Sequence, residues 1–339
     1  ELREKFPQFG SELPLITTCG PRLAEILVGA LDGMELIFPG GSAELFSTFY
    51  REGADFLVYN EMIQRAVSFA IKNLPARRTI RVLEVGAGTG SLTRNILPIL
   101  PSDRSEFTFS DNSPIFFNEA RKLFSDYDFV EYELLDIEKD PLEQGVDLHS
   151  FDLIIATNVV HATHDLKHTL SIIKKLLASK GLFMFLEVTT PRISLDMVFG
   201  QLKGWWNFTD TELRKHSALL SREQWEDLLK NCEFNNVVSF VDTPEGTFAQ
   251  QTAFLVEGPE IDEDESIVIE GKGPNPGYLV IGEDAGIGKQ LVKFLEEKHS
   301  AQCILASPGD EFVSVGEKRY RFRPDHGDDL EELLRKTSE

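Results

Sequence analysis

The residues best suited to chemistry follow two strongly apolar segments in the middle of the chain. An apolar run from 151 to 156 predicts a buried strand, which stops at Asn158, and His161 follows three residues later. A second apolar run, 182–186, ends in Glu187. Neighbouring strands would bring His161 and Glu187 to the same edge of a sheet. There the carboxylate would fix the tautomer of the histidine and stabilise its imidazolium form, giving a general base suited to removing a proton from carbon.

A glycine-rich turn lies upstream of these residues. The strand-forming run 81–85 leads into Gly86, Gly88 and Gly90, which are spaced two residues apart. Glycines allow a tight turn and the close approach of a ligand, and the helix expected from Ser91 would point its N-terminus at that ligand. The pattern predicts the start of a nucleotide-binding βα unit. A dinucleotide loop is a poorer match, because its third glycine should come three residues after the second.

Polar residues accompany this turn. Asp111 ends the next predicted strand, about twenty residues after Gly90, where a carboxylate can accept hydrogen bonds from the two hydroxyls of a ribose. Asn112 beside it could support the same sugar. Glu84, two positions before the first glycine, is expected to meet backbone amides or an amino group of the ligand. The alternative for Asp111 is an ordinary turn or helix-capping role.

The composition limits the classes of partner. The chain has 339 residues, of which 42% are hydrophobic, enough for two domains or for one domain with a lid. Its 56 acidic against 34 basic residues argue against nucleic acid or an anionic membrane as the partner, since phosphate contacts need clustered lysines and arginines.

The cysteines and the apolar segments indicate the compartment. Cys19, Cys232 and Cys303 lie far apart and lack metal-ligand spacing, so we predict reduced thiols, no disulfide and no metal site. No apolar run approaches ~20 residues and no charged-then-apolar leader opens the chain, which predicts a cytoplasmic protein without a membrane span. The abrupt start and end suggest a piece of a larger protein.

The order of predicted elements indicates the fold. Residues 1 to about 75 alternate turn signals with apolar positions at the helical period, which predicts a helical N-terminal lid. From 76 to 257, apolar strands alternate with amphipathic helices, a pattern typical of an α/β domain with a doubly wound, mostly parallel sheet. An insertion at about 190–230 carries Trp205 and Trp206.

A second unit is predicted after the sheet domain. Residues 258–265 form an acidic linker whose like charges repel one another, and residues 266–339 contain a partial, Rossmann-like strand, turn and helix. The second glycine turn, 282–288, includes Glu283 and Asp284, whose carboxylates would oppose a pyrophosphate. We therefore predict a structural unit that binds no nicotinamide cofactor.

The first glycine turn has the form Glu-x-Gly-x-Gly-x-Gly, which resembles the first motif of the S-adenosylmethionine-dependent methyltransferases. The resemblance implies a class I, Rossmann-like methyltransferase fold with S-adenosylmethionine as the cofactor. It places Asp136, after the third predicted strand, near the adenine amino group, with Ile137 against the ring. Asp136 could instead be a turn or capping residue.

Three further stretches are similar to the C-methyltransferase domain of modular polyketide synthases, namely 158–163, 186–189 and 204–208. The similarity extends from about residue 40 to 257, and the segment 231–234 departs from the family pattern at no catalytic position. The unit after 266 is similar to the truncated structural half of a ketoreductase, which commonly follows such a domain.

This second resemblance implies a reaction. A methyl group would pass to the α-carbon of a β-ketoacyl thioester that an acyl carrier protein holds on phosphopantetheine, beside neighbouring domains of the same synthase. His161 would take the α-proton and Glu187 would orient His161. Asn158 would hold the enolate oxygen or the amino-acid group of the cofactor.

Aromatic residues could complete the site. Trp205 and Trp206 could line the acyl or pantetheine channel, and Tyr50 and Tyr59 could close over the methyl donor, although all four could equally be core residues. Two other functions stay open. One is an O- or N-methyltransferase of small molecules, and the other is an inactive methyltransferase domain kept as a structural part of a synthase.

Overall fold

The strands and helices are given by a computed structural model that describes residues 2–5, 10–42, 44–74, 78–242, 250–261, 277–281, 287–299, 302–316, 318–324 and 326–337. The chain divides into two units, Glu1–Asp262 and Glu263–Glu339. The strands of the first unit are β1 (Ile80–Val85), β2 (Ser105–Asp111), β3 (Val130–Leu134), β4 (Phe151–Thr157), β5 (Leu177–Val188), β6 (Asn235–Phe240) and β7 (Gln251–Glu257). Its helices are α1 (Leu2–Lys5), α2 (Leu13–Cys19), α3 (Leu23–Leu27), α4 (Gly33–Ile37), α5 (Glu44–Glu52), α6 (Ala54–Asn73), α7 (Thr93–Ile96), α8 (Phe117–Leu123), α9 (Leu166–Leu176), α10 (Ile193–Val198) and α11 (Arg222–Asn231).

The seven strands form one sheet in the order β3-β2-β1-β4-β5-β7-β6. Strands β1 to β5 pair in parallel, and β7 is antiparallel to both β5 and β6. The predicted doubly wound, mostly parallel sheet is thereby confirmed. The strand order reverses between β1 and β4, and sheets of this kind bind ligands outside the carboxyl ends of the strands at such a point.

Apolar residues cover both faces of the sheet, as expected for parallel strands. Ile80 and Val82 of β1 belong to one core cluster, whereas Leu83 and Val85 belong to another. Because successive side chains of a strand point to opposite faces, the two clusters lie on opposite sides of the sheet. The loops at the strand ends therefore rest on a rigid scaffold.

The N-terminal region is helical, as predicted. The long helix α6 buries Tyr59, Ile63 and Val67, spaced four residues apart, in the same core cluster as Val82. The helix expected from Ser91 is short. It begins at Thr93, makes about one turn as α7, and continues as a 3-10 turn over Leu97–Ile99.

Within the described ranges, we find no helix with both the length and the apolar character needed to cross a bilayer.

The second unit has a smaller sheet of its own. Its elements are β8 (Gly277–Ile281), α12 (Ile287–His299), β9 (Gln302–Pro308), β10 (Val313–Gly316), β11 (Arg319–Phe322) and α13 (Gly327–Thr337), with strand order β10-β11-β9-β8. Strands β8 and β9 are parallel and α12 connects them. Residues 282–286 of the second glycine turn, including Glu283 and Asp284, lie outside the described residues.

The segment after β7 differs from the predicted linker. Residues 258–261 follow the β7 strand and bond to residues 179–181 of β5, with Gly258 N–H donating to Gly181 O at 2.8 Å and Lys180 N–H donating to Pro259 O at 3.1 Å. These residues belong to the first unit, which extends to Asp262. Residues 262–265 lie outside the described residues.

Candidate active site

The glycine turn after β1 has three residues with positive φ: Gly86 at 60°, Gly88 at 51° and Gly90 at 71°. A Cβ on Gly86 would lie 2.5 Å from Val159 Cγ2, and one on Gly90 would lie 2.8 Å from the Phe124 ring, so folding alone excludes side chains there. Gly88 is different. The nearest atom to its imagined Cβ is Gly86 O at 3.8 Å, because this glycine faces open space.

A cavity of about 310 Å³ lies at the carboxyl edge of the sheet, and Gly88 is among the residues that line it. Eight of the nine predicted cofactor-binding residues line it, namely Glu84, Gly86, Gly88, Asp111, Asn112, Asp136, Ile137 and Asn158. Gly90 lies outside the lining and serves the turn instead. The sequence-based set is therefore brought together around one cavity, which we call the cofactor cavity.

Two buried carboxyl groups face the cofactor cavity. Glu84 Oε2 accepts a 2.6 Å hydrogen bond from Thr93 Oγ1, and burial, with a smaller contribution from the charge of Asp111, raises the pKa of Glu84 to about 8. Asp111 accepts from Gly88 N at 3.1 Å and from Ser113 N at 2.9 Å. Burial also raises the pKa of Asp111, although these amide bonds act in the opposite direction.

The loop after β3 holds Asp136 and Ile137 at the cavity wall. Gln144 clamps this loop, since its Oε1 accepts from Asp136 N at 2.8 Å and its Nε2 donates to Asp136 O at 2.9 Å. The Asp136 carboxylate accepts from Glu138 N and lies 3.0 Å from Lys139 Nζ. Sequence reasoning missed Gln144, because a glutamine eight residues away in a loop carries no signal of its own.

His161 and Glu187 are in direct contact. Strands β4 and β5 are parallel and pair Thr157 with Leu186, which brings the turn after β4 close to Glu187, the next-to-last residue of β5. His161 Nδ1 lies 2.6 Å from Glu187 Oε2, and the His161 backbone N–H donates to Glu187 Oε1 at 3.3 Å. A carboxylate can only accept, so Nδ1 donates the hydrogen of this contact, and in the neutral ring the lone pair is on Nε2. Both side chains are buried, and Glu187 is fully so.

A second cavity has a volume of about 40 Å³ and is lined by His161 and Trp205. We call it the acyl cavity after the acyl channel that Trp205 was predicted to line. Most of its wall is apolar, and the Trp205 indole stands edge to face with the His161 ring at a centroid distance of 5.4 Å. Tyr50 and Asn158 line both cavities, so the two adjoin there. Burial, and then the nearby charge of Glu187, raises the pKa of Tyr50, so its phenol stays protonated.

Asn158 has its side chain engaged with the sheet. Its backbone is left-handed, with φ of 54°, and its Oδ1 accepts from Val188 N at 2.9 Å. Its Nδ2 donates to Gln251 Oε1 at 3.0 Å. These bonds orient the amide and leave one Nδ2 hydrogen for a ligand. Gln251, at the start of the antiparallel β7, was not recognised from the sequence.

Two of the predicted aromatic residues lie away from both cavities. Tyr59 is buried in the core, where its hydroxyl donates to Gln251 O at 2.6 Å. Trp206 is half-exposed and its Nε1 donates to Gly200 O at 2.8 Å. Neither lines either cavity, whereas Tyr50 and Trp205 reach the site. Adjacent aromatic residues, or residues on one helix, point in different directions, and the sequence does not tell which one faces inward.

Arg214 supports the loop that carries His161. Its guanidinium is fully buried, donates to His161 O and Thr163 O at 2.8 Å each and to His164 O at 2.9 Å, and lies 2.5 Å from Asp210 Oδ1. It thereby fixes the 3-10 turn Val160–Ala162. An arginine within a polar stretch more than fifty residues further along the chain gave no signal in the sequence.

The family described as "Methyltransferase domain" matches residues 83–183 of this chain. The non-reducing polyketide synthase mapC of Penicillium roqueforti is 38% identical over 241 residues, which is 69% of this chain and 10% of the synthase. The chain spans about a tenth of the length of the curated relatives it matches.

Solved structures are also similar. The CurJ carbon methyltransferase has a TM-score of 0.73 and 39% identity, covering 76% of this chain and 69% of that chain. The CMeT domain of the citrinin polyketide synthase has a TM-score of 0.70 and 31% identity, covering 77% and 68%. The trans-methyltransferase CalH, solved in complex with SAH, has a TM-score of 0.62 and 28% identity, covering 76% and 70%.

Proposed function

This chain belongs to the carbon methyltransferases of polyketide synthases, and from that premise we propose that it methylates the α-carbon of a β-ketoacyl thioester carried by an acyl carrier protein. Its cofactor is S-adenosylmethionine. The observation that carries the proposal is the contact between His161 and Glu187 on the wall of the acyl cavity, at the point where this cavity adjoins the cofactor cavity.

The residues of the cofactor cavity fit S-adenosylmethionine. Gly88 lines this cavity and no atom beyond its two chain neighbours lies closer than 3.8 Å to the position of its Cβ, so a glycine there leaves room for a bound ligand. Asp111 has its carboxylate oriented by two backbone amides and can accept from ribose hydroxyls, while Asp136 and Ile137 form the wall proposed for the adenine. Glu84 is the candidate partner for the amino group. When bound, the cofactor supplies an electrophilic methyl group.

The chemistry of the proposed substrate matches the His161–Glu187 pair. The α-carbon of a β-ketoacyl thioester lies between two carbonyl groups, so a base of moderate strength can remove its proton. The C–H bond breaks, the proton goes to His161 Nε2, and the electron pair is delocalised over both oxygens as an enolate. Glu187 holds the ring in place and offsets the positive charge that His161 gains. The enolate carbon would then form a bond to the methyl group while the methyl–sulfur bond breaks, which leaves the sulfur as a neutral thioether. His161 would return its proton to solvent.

The proposal is tested with a carrier protein bearing a β-ketoacyl chain and, for comparison, the fully reduced chain, with methylation followed by mass spectrometry. Only the β-keto form should be methylated. His161→Ala should lower the rate at least about 100-fold, the range that general acid–base groups contribute. Glu187→Gln should slow methylation while cofactor binding, measured by titration calorimetry, persists.

His216→Ala is the matched control, because His216 is an exposed histidine that lines neither cavity. It should leave the rate unchanged. Methylation of the reduced chain, or wild-type rates in His161→Ala, would contradict the proposal.

A further inference from the structure

Arg192 brings a cation to the wall of the acyl cavity. It precedes helix α10, and it lines the same small cavity as His161. Leu195 and Phe199, one and two turns further on, are apolar and line the cavity with it. Glu12 also lines this cavity, but no hydrogen bond or ion pair joins it to Arg192 among the described residues. A partly buried guanidinium beside apolar side chains calls for an explanation, because such a group is normally paired or fully solvated.

The Nε atom of Arg192 is buried and has no hydrogen-bond partner among the described residues. The neighbouring arginine of the site, Arg214, differs in this respect, since its guanidinium is bonded to three carbonyls and to Asp210. A buried N–H without an acceptor is unfavourable unless a ligand provides one. An oxygen-bearing ligand at Arg192 would supply the missing acceptor.

Proton removal by His161 creates the need for such a donor. The negative charge of the enolate is shared between the ketone oxygen and the thioester oxygen. The Asn158 amide has only one hydrogen left, and the Tyr50 phenol is neutral. A guanidinium offers two parallel N–H groups, from Nε and one Nη, whose spacing suits two oxygens held side by side.

We propose that Arg192 binds the two oxygens of the β-ketoacyl thioester and stabilises the enolate that forms when His161 takes the α-proton. This inference rests on the proposed function and goes beyond it in naming the group that recognises a 1,3-dicarbonyl. Arg192 is thereby a catalytic residue and also the source of selectivity. A fully reduced chain, with a methylene group at the β-position, lacks the second acceptor and would leave one N–H of the guanidinium unpaired.

The test compares Arg192→Met and Arg192→Lys with wild type, using the N-acetylcysteamine thioester of 3-oxobutanoate as the probe. Deuterium exchange at the α-carbon above the buffer background and methylation with S-adenosylmethionine are both measured. Arg192→Met should lower both rates about 100-fold, as for loss of an oxyanion donor. Arg192→Lys keeps the charge without the planar fork and should retain an intermediate rate. Both variants should bind S-adenosylmethionine as wild type does.

Ile193→Ala is the matched control, because Ile193 is the next residue, is 88% exposed and lines neither cavity. It should keep wild-type rates. Exchange and methylation by Arg192→Met at wild-type rates would overturn the assignment of Arg192 while leaving the proposed function intact. Wild-type protein that neither exchanges nor methylates the β-keto probe or a carrier-bound β-ketoacyl chain would instead contradict the proposed function. If Arg192→Met does not fold, a wild-type rate in Arg192→Lys overturns the assignment.

Discussion

Two carboxyl groups of the cofactor cavity show how single residues are prepared for a ligand. Glu84 is buried at the end of β1 and has a pKa of about 8, so it is largely protonated near neutral pH. Asp111 is also buried, but amides of Gly88 and Ser113 stabilise its charged form. One acid can thus respond to a cationic amino group by losing its proton, while the other offers charge to hydroxyl groups.

The raised pKa of Glu84 predicts how stability depends on pH. Below its unfolded value of 4.5 the carboxyl is protonated in both states, and between 4.5 and about 8 only the folded state keeps the proton. The free energy of unfolding therefore falls as pH rises through this window, by at most about 1.4 kcal/mol per pH unit from this group. Above a pH of about 8, the stability that the protonated Glu84 carboxyl contributes is lost.

The change Glu84→Gln should remove this part of the slope, because glutamine does not titrate. Urea unfolding at several pH values between about 5 and about 8, without cofactor, measures it. Glu143→Gln, a change at an exposed surface position, is the control and should keep the wild-type slope. Equal slopes in wild type and Glu84→Gln would show that Glu84 does not hold its proton in the folded state.

At the level of elements, the strand ends position the site, and this is also the part that the sequence predicts well. Apolar runs followed by polar residues mark β4 and β5, and parallel neighbours place His161 beside Glu187. Arg214 and Gln251 were not predictable in this way. Arg214 reaches the His161 loop from the long insertion, and Gln251 comes from an antiparallel strand that inserts beside β5. Contacts between residues distant in sequence leave no local pattern.

Two neighbouring glycines in the turn after β1 should affect different properties when they are replaced. Gly86 should affect the stability of the fold, and Gly88 should affect the binding of the cofactor. Gly86→Ala would force a Cβ to within 2.5 Å of Val159 and should destabilise the fold. Gly88→Ala adds a Cβ in open space and should cost only the strain of a left-handed alanine, about 1 kcal/mol. We expect it also to lower cofactor affinity, because Gly88 lines the cofactor cavity, where a bound ligand would approach the backbone.

Urea unfolding and titration calorimetry with S-adenosylmethionine distinguish these effects. Val159→Ala should restore part of the stability lost in Gly86→Ala, since it removes the clashing side chain, and a double-mutant cycle measures this coupling. Unchanged cofactor affinity in Gly88→Ala would show that Gly88 does not approach the ligand.

The turn that carries His161 depends on Arg214. Arg214→Met would leave three backbone carbonyls and the Asp210 carboxylate without this donor, and breaking a buried ion pair on one side typically costs about 3–5 kcal/mol. Because the His161 carbonyl is one of those acceptors, α-proton exchange should fall more than cofactor affinity. Arg65→Met is the control, since Arg65 makes an exposed pair with Glu61 and should change stability by less than about 1 kcal/mol. Normal exchange in a destabilised Arg214→Met would limit Arg214 to a structural role.

At the scale of the whole chain, the site belongs to one unit. Every residue that lines the cofactor and acyl cavities lies between Glu12 and Gln251, within the unit Glu1–Asp262. The second unit has its own sheet and its own small apolar cluster around Ala306, Phe322 and Leu333. Acidic composition predicted a linker from residue 258, but backbone pairing extends the first unit a few residues further. A charge pattern cannot reveal that pairing, because it uses main-chain groups that every sequence has.

This boundary gives a prediction for two truncated chains. A chain ending at Asp262 keeps the bonds from Gly258 N to Gly181 O, from Lys180 N to Pro259 O and from Ile261 N to Ser179 Oγ, whereas a chain ending at Glu257 loses all three. At about 1 kcal/mol for each bond, the shorter chain should be less stable than the longer one by about 3 kcal/mol in urea unfolding. Both should bind S-adenosylmethionine within about twofold of the full chain, because both keep every residue that lines the cofactor cavity. Equal stability of the two truncated chains would show that the first unit ends at Glu257. Loss of cofactor binding by the chain ending at Asp262 would show that cofactor binding needs the second unit.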